Sequence, residues 1–174
     1  MITDTKVPFE TGPLLGKGSF AHVYAHPHEA HCVIKRTACS ISIAMLRRLL
    51  EAGPQPGLPV VLEELWEEDF GAVWFRIEQL HPVPERHPLL ETVNAALGAA
   101  YEKTSNADFV ADSELAAKFA VELKKRKQRR LGDGAMWLSR FLEEAKGDLD
   151  LHVRSNYMMD KRGRLVFSDP VSLY

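Results

Sequence analysis

The chain has only two cysteines in 174 residues, Cys32 and Cys39, too few for a disulfide framework, so a reduced cytoplasmic protein is the default expectation. No run approaches the ~18 apolar residues of a membrane-spanning helix. The opening residues, Met1 to Lys6, carry no apolar signal core, so neither secretion nor membrane association is expected. Charge of one sign is also missing. The 22 Lys and Arg against 24 Asp and Glu leave a net charge of −2, which makes no global claim on nucleic acid or a membrane surface. There are no internal repeats and no low-complexity segment. With 45% hydrophobic and 26% charged residues, the composition is that of an ordinary globular protein. The length suits one domain, or two small lobes sharing a cleft.

Hydropathy patterning predicts an α+β chain. Residues 7–36 read as two or three strands joined by a glycine-containing loop and a turn at His26-Pro27-His28. Ile41, Met45, Leu46, Leu49 and Leu50 follow at helical spacing, and Gly53-Pro54 stops that helix. A hairpin comes next, from Val60 to Leu80. In its second strand Val73, Phe75 and Ile77 alternate with Trp74, Arg76 and Glu78, as in a sheet packed on one face. Asp69-Phe70-Gly71 lies between the two strands and reads as their turn. Beyond Pro82, Pro84 and Pro88, helical periodicity covers 89–101 and 113–127, and a third helix is expected after Gly132-Asp133-Gly134.

Two segments carry chemistry. Leu15-Gly16-Lys17-Gly18-Ser19-Phe20-Ala21-His22-Val23 is followed by Val33-Ile34-Lys35. Gly16 and Gly18 lack Cβ, so the backbone can fold over a polyphosphate and point N–H groups at it. Lys35 ends a second apolar run, from which it can reach phosphate as a point charge. Near the other end stand Asp150-Leu151-His152, Asn156, and Asp169-Pro170-Val171 after a short hairpin. An acid, an amide a few residues on, and a second acid after an apolar strand supply a proton acceptor and hard oxygen ligands for Mg²⁺.

Together these segments resemble the protein kinases, and within them the small kinase-like proteins encoded by bacteriophages; the aminoglycoside phosphotransferases, which share Asp-Leu-His, are more distantly similar. The resemblance rests on residues 14–36, 58–80 and 148–172. It implies a small protein-kinase-like bilobe: an N-lobe over 1–82 with an antiparallel sheet and one helix, and a truncated helical C-lobe over 83–174. It further implies ATP and Mg²⁺ as cofactors, and phosphoryl transfer to Ser or Thr of a host protein. Gly16, Gly18, Ser19, Val23 and Lys35 would hold the nucleotide, and backbone groups at Glu78 to Leu80 would meet the adenine. Asp150 and Lys35 would be catalytic, and Asn156 and Asp169 would bind metal. Glu51, the only acid of the first helix, is the candidate to pair with Lys35, against simple solvent exposure.

The departures from that pattern are specific. Ala21 replaces the third glycine of the loop. Asp150 and Asn156 are one residue further apart than in the family. Pro-Val follows Asp169 in place of Phe-Gly, and with five residues after Asp169 no activation segment is expected. These features favour a second reading, an inactive kinase-like protein that inhibits a host enzyme by contact. A third, a nucleic-acid-associated factor, rests on Lys124 to Arg130, six cations in seven residues. That run is either a polyanion or acidic-protein docking patch or a solvated helix end. His26, His28 and His31, with no cysteine or carboxylate evident at ligand spacing, are expected to form a solvated turn and not a metal site.

Overall fold

A computed structural model describes residues 7–104, 111–152 and 154–172, and its fold is α+β. Three strands, β1 (Leu14–Lys17), β2 (Ala21–Ala25) and β3 (Cys32–Thr37), lead into helix α1 (Ser40–Ala52). Strands β4 (Val61–Glu67) and β5 (Val73–Glu78) complete an antiparallel five-stranded sheet in the order β1-β2-β3-β5-β4. The short strand β6 (His81–Pro82) then leads into α2 (Pro88–Glu102), α3 (Asp112–Lys125) and α4 (Arg129–Ala145). Four short strands follow: β7 (Asp148–Leu149), β8 (Tyr157–Met159), β9 (Leu165–Phe167) and β10 (Val171–Ser172). β8 and β9 form a hairpin to which β6 adds, while β10 pairs antiparallel with β7.

Alternation along β5 has the expected consequence on one face and a different one on the other. Val73, Phe75 and Ile77 are buried against α1 residues Met45, Leu46 and Leu49. The opposite face is also covered at one point. Trp74 is buried there, with Phe9 edge-on at 5.4 Å, Tyr24 stacked at 5.7 Å and the Arg36 guanidinium 5.9 Å above its ring. Its indole N–H donates to Glu68, which also takes two hydrogen bonds from Arg36. A half-buried alternating strand cannot announce this second small core, because its cover comes from a segment remote in sequence.

The third helix corrects the sequence reading. α4 begins at Arg129 and runs straight through Gly132 and Gly134, which the pattern had assigned to a break. Both glycines serve close approach. A Cβ at Gly132 would lie 2.9 Å from the Ala120 carbonyl oxygen of α3, and one at Gly134 would lie 2.5 Å from the Pro56 carbonyl oxygen. The cost of glycine in a helix, about 1 kcal/mol, is offset by bringing α4 against α3 and the 54–57 loop. Phe167 N–H donates to the Gly57 carbonyl in the same seam. The apolar core is therefore continuous from the sheet, through α1, to α3, α4 and the β8–β9 hairpin.

Candidate functional site

Lys35 sits in the middle of β3, directly opposite Val23 on β2 and Phe75 on β5. The three residues form a row across one sheet face. Phe75 is fully buried, Val23 half-buried, and the Lys35 side chain only 6% exposed. A buried ammonium needs an opposite charge. Its partner is Asp169, whose Oδ1 lies 3.1 Å from Lys35 Nζ. That contact joins the two chemistry-bearing segments, which lie at opposite ends of the chain. It is an ion pair without an aligned hydrogen bond, and Asp169 Oδ1 takes no hydrogen bond from any other group among the described residues.

Glu51 does not take part. Its side chain is 71% exposed and faces Arg48 at 3.8 Å, one turn back on the same helix. The inner face of α1 presents Ile41, Ser42, Met45, Leu46 and Leu49, none of them acidic. What α1 does contribute is a tether: Ser42 Oγ donates to the Val171 carbonyl at 3.3 Å, tying the helix to the strand just beyond Asp169.

Asp150, Asn156 and Asp169 are drawn together by three interlocking hydrogen bonds. Asn156 Nδ2 donates to the Asp150 carbonyl, Asp150 N–H donates to the Pro170 carbonyl, and Ser168 N–H donates to the Asn156 carbonyl, each at 2.8 Å. The extra residue between Asp150 and Asn156 does not prevent this closure. It is accommodated in a stretch that ends in one 3₁₀ turn, Arg154–Asn156. Tyr157 also braces the loop, its hydroxyl donating to the Leu151 carbonyl at 2.7 Å. Burial, with the Asp150 charge nearby, pushes that phenol well above its ordinary range, so it stays a neutral donor. Because Asn156 spends its amide N–H on the backbone, its Oδ1 remains as an acceptor. The Asp150 carboxylate makes no hydrogen bond or ion pair among the described residues, and it is half-buried.

One positioning group, Asp112, escaped the sequence reading; the other, His152, stands two residues past Asp150, where the sequence offers it as support for the loop or a contact to phosphate. Asp112, in the first turn of α3, accepts a hydrogen bond from Leu149 N–H at 2.6 Å and so fixes the strand that delivers Asp150. His152 Nε2 stands 2.5 Å from the Tyr101 hydroxyl, with the two rings stacked obliquely. Neither link has a local signature, since each spans a helix or more of chain.

The glycine loop is a tight turn closed by Gly18 N–H to the Ala21 carbonyl at 2.8 Å. A Cβ at Gly16 would meet nothing within 4 Å, and one at Gly18 only the Ala21 carbonyl at 3.8 Å. The fold itself thus places no demand for glycine here, and all of β1 and Ser19 is exposed. At the expected adenine edge, the Glu78 and Gln79 amides are already spent on the Val60 and His31 carbonyls, each at 2.9 Å. The Leu80 amide has no partner among the described residues. The Glu78 and Leu80 side chains line a cavity of about 590 Å³ with Pro56, Arg130, Asp160 and Arg164, on the α4 side of the molecule.

Four of the six cations in the basic run have partners within the fold. Lys125 and Arg126 bind Glu122 at 2.8 and 2.7 Å, and Lys103 joins them on the same carboxylate. Lys124 pairs with Asp133 at 2.8 Å, and Arg130 donates to the Leu165 carbonyl. Only Lys127 and Arg129 lack a partner among the described residues. The Asp69-Phe70-Gly71 segment is the β4–β5 turn, with Gly71 at φ +82° and Phe70 projecting into solvent. No helix among the described residues is long and apolar enough to cross a membrane. No family model matches the chain, and no curated protein matches it.

Proposed function

We propose that this chain is a small protein-kinase-like phosphotransferase, bilobal in organisation and bacteriophage-encoded, that uses Mg·ATP to phosphorylate Ser or Thr of a host protein. The observation that carries the reading is the Lys35–Asp169 approach, which unites the glycine-loop half with the Asp150–Asn156 half. Residues 1–82 would provide the nucleotide grip and 83–174 the catalytic loop.

The residues present fit the metal and the nucleotide. Asp169 has an oxygen that, among the described residues, faces only the Lys35 ammonium and takes no aligned hydrogen bond, and Asn156 keeps its carbonyl oxygen while its amide is tied down. Both are hard oxygen ligands of the kind Mg²⁺ takes. Bound there, the ion would neutralise phosphate charge as it shifts between oxygens. Lys35 would exchange part of its attraction to Asp169 for the phosphates, and the exposed glycine turn would lie over them, with the Gly18 N–H still closing the turn on Ala21. Asp150 would accept the proton of the attacking hydroxyl as that oxygen bonds to the γ-phosphorus and the bond to the β-phosphate oxygen breaks. Base catalysis of this kind contributes about 10²–10⁴-fold. The remainder would come from holding the reactants in line.

A second reading, a catalytically inactive relative that binds a host enzyme by contact, draws support from α1. With no acid on that helix's inner face, Asp169 is the one charge partner of Lys35 among the described residues. Transfer of label from γ-labelled ATP to protein in a bacterial lysate, with Mg²⁺ and with chelator, separates the two. Label that requires Mg²⁺ and disappears in Asp150→Asn supports the enzyme. Absence of label under all conditions overturns it and leaves the contact reading.

A further inference from the structure

The β2–β3 turn brings together side chains that look unrelated in the sequence. Glu29 reaches back across the turn so that its Oε2 lies 3.4 Å from Cys32 Sγ and 3.7 Å from His31 Nε2. The three ligand atoms all lie within 4.8 Å of one another. The expectation that these histidines had no carboxylate or cysteine beside them is therefore wrong for His31. The turn supplies both, because Cys32 N–H bonds back to the Glu29 carbonyl at 3.0 Å and closes the loop on itself.

We propose that Glu29, His31 and Cys32 form a three-ligand site for a single Zn²⁺-class divalent cation, independent of the nucleotide site. Two of the three separations, 3.4 and 3.7 Å, are near those of one tetrahedral ion, and the third, within 4.8 Å, would close by rotation of the exposed His31 ring. With metal–sulfur bonds of about 2.3 Å and metal–nitrogen or –oxygen bonds of about 2.0 Å, tetrahedral geometry separates ligand atoms by roughly 3.3–3.6 Å. The donor set decides the class. One thiolate, one imidazole and one carboxylate suit Zn²⁺, whereas Mg²⁺ and Ca²⁺ take oxygen alone.

The neighbours are arranged to leave that site open. Arg76 Nη1 holds the other Glu29 oxygen, Oε1, at 2.6 Å, which fixes the carboxylate while freeing Oε2. His26 is not a ligand. Its Nδ1 accepts from the backbone N–H groups of Glu29 and His28, so in the neutral ring Nε2 carries the proton, 3.9 Å from Glu29 Oε1. Cys32 is buried at the start of β3, while the His31 ring is 72% exposed, leaving a fourth position toward solvent for water. On binding, the proton that the thiol now shares with Glu29 leaves to solvent and the thiolate sulfur takes the metal. The ion would pin the β2–β3 turn, three residues ahead of Lys35.

The test uses the full chain, freed of metal by chelation and titrated with Co²⁺ alone. Expected is a one-to-one complex with an ultraviolet thiolate-to-cobalt band and intense visible bands of tetrahedral cobalt, displaced by Zn²⁺. Cys32→Ser should remove the thiolate band. His31→Ala, at an exposed side chain that cannot unfold the protein, should weaken Co²⁺ at least by the roughly 10–100-fold that losing even an outer partner of a ligand costs. His28→Ala, whose ring faces Glu10 outside the cluster, should leave binding unchanged. Absence of the thiolate band in the wild type, or His31→Ala binding as tightly as wild type, overturns the proposal.

Discussion

Two groups of carboxylates in this molecule are treated in opposite ways. Glu122 and Glu68 are enclosed and saturated. The first takes Lys103, Lys125 and Arg126, and the second takes two hydrogen bonds from Arg36 and one from Trp74. Asp169 and Asp150 are left wanting. Asp169 has a cation 3.1 Å away yet no hydrogen-bond donor on its buried oxygen, and Asp150 has neither hydrogen bond nor ion pair among the described residues. Enclosed carboxylates are paired, because an unpaired one costs several kcal/mol; Asp150, half-buried, and Asp169, with its side chain 38% exposed, reach solvent and escape that cost. The backbone around Asp150 and Asp169 is nonetheless tightly bonded, so the shortfall is confined to the side chains. That pattern is expected where a ligand completes the coordination.

The predictions that break or sharpen this contrast begin with Asp150. If its free carboxylate serves as the base, Asp150→Asn should reduce labelled phosphate transfer by about 10²–10⁴-fold while leaving Mg·ATP affinity and melting temperature nearly intact. Transfer kinetics beside nucleotide titration read this split. Glu68→Ala should do the reverse. It should destabilise the chain by about 2–3 kcal/mol by stranding Arg36 and the Trp74 N–H, visible in denaturant midpoints, with transfer per folded molecule unchanged.

Gly134→Ala follows in size. Its Cβ would lie 2.5 Å from a backbone oxygen that has no flexible end to move aside. The overpacking should cost about 1–3 kcal/mol, against the gain that alanine normally brings a helix. Urea unfolding checks the sign.

Glu122 yields a pH dependence. Its three cationic partners, Lys103 first, hold its carboxyl at about 2, down from the ordinary 4.5. The unfolded chain thus takes up this proton before the folded one. The stability from Glu122 is complete above about 4.5 and is lost as pH falls toward 2. Glu122→Gln should flatten the melting-temperature profile across that window, and an unchanged slope would count against the cluster. Smallest of all, Glu51→Ala should change stability by less than about 0.5 kcal/mol and leave nucleotide binding alone, since its only partner among the described residues is Arg48 on the surface.

Sequence made some of this legible for physical reasons. The buried face of Val73, Phe75 and Ile77 follows from strand alternation, and α1 ends at Gly53-Pro54 because proline cannot continue the helix. Gly132 and Gly134 misled, because a glycine needed for close helix contact looks the same in sequence as one that breaks a helix. Glu51 left two readings open, pairing with Lys35 or solvent exposure, and the second is what the fold shows. It was the only acid available to α1, but its place in the last turn sets it on the solvent side. The partners of Lys35, of Leu149 N–H and of the Trp74 face come from far along the chain, and no local pattern records them. The trio of Glu29, His31 and Cys32 was hidden differently, since its spacing matches no familiar ligand motif and only the folded turn brings the atoms together.

The most direct measurement is the melting temperature of the full chain with and without millimolar Mg·ATP, in the wild type, Lys35→Ala and Asp169→Asn. Ligand at a hundredfold excess over its dissociation constant adds about 2.7 kcal/mol to stability, so the wild type should melt several degrees higher. Lys35→Ala should lose most of that shift, and Asp169→Asn should lose the part that depends on Mg²⁺. A wild-type melting temperature that does not move with Mg·ATP would contradict the claim that these unfilled side chains await a nucleotide.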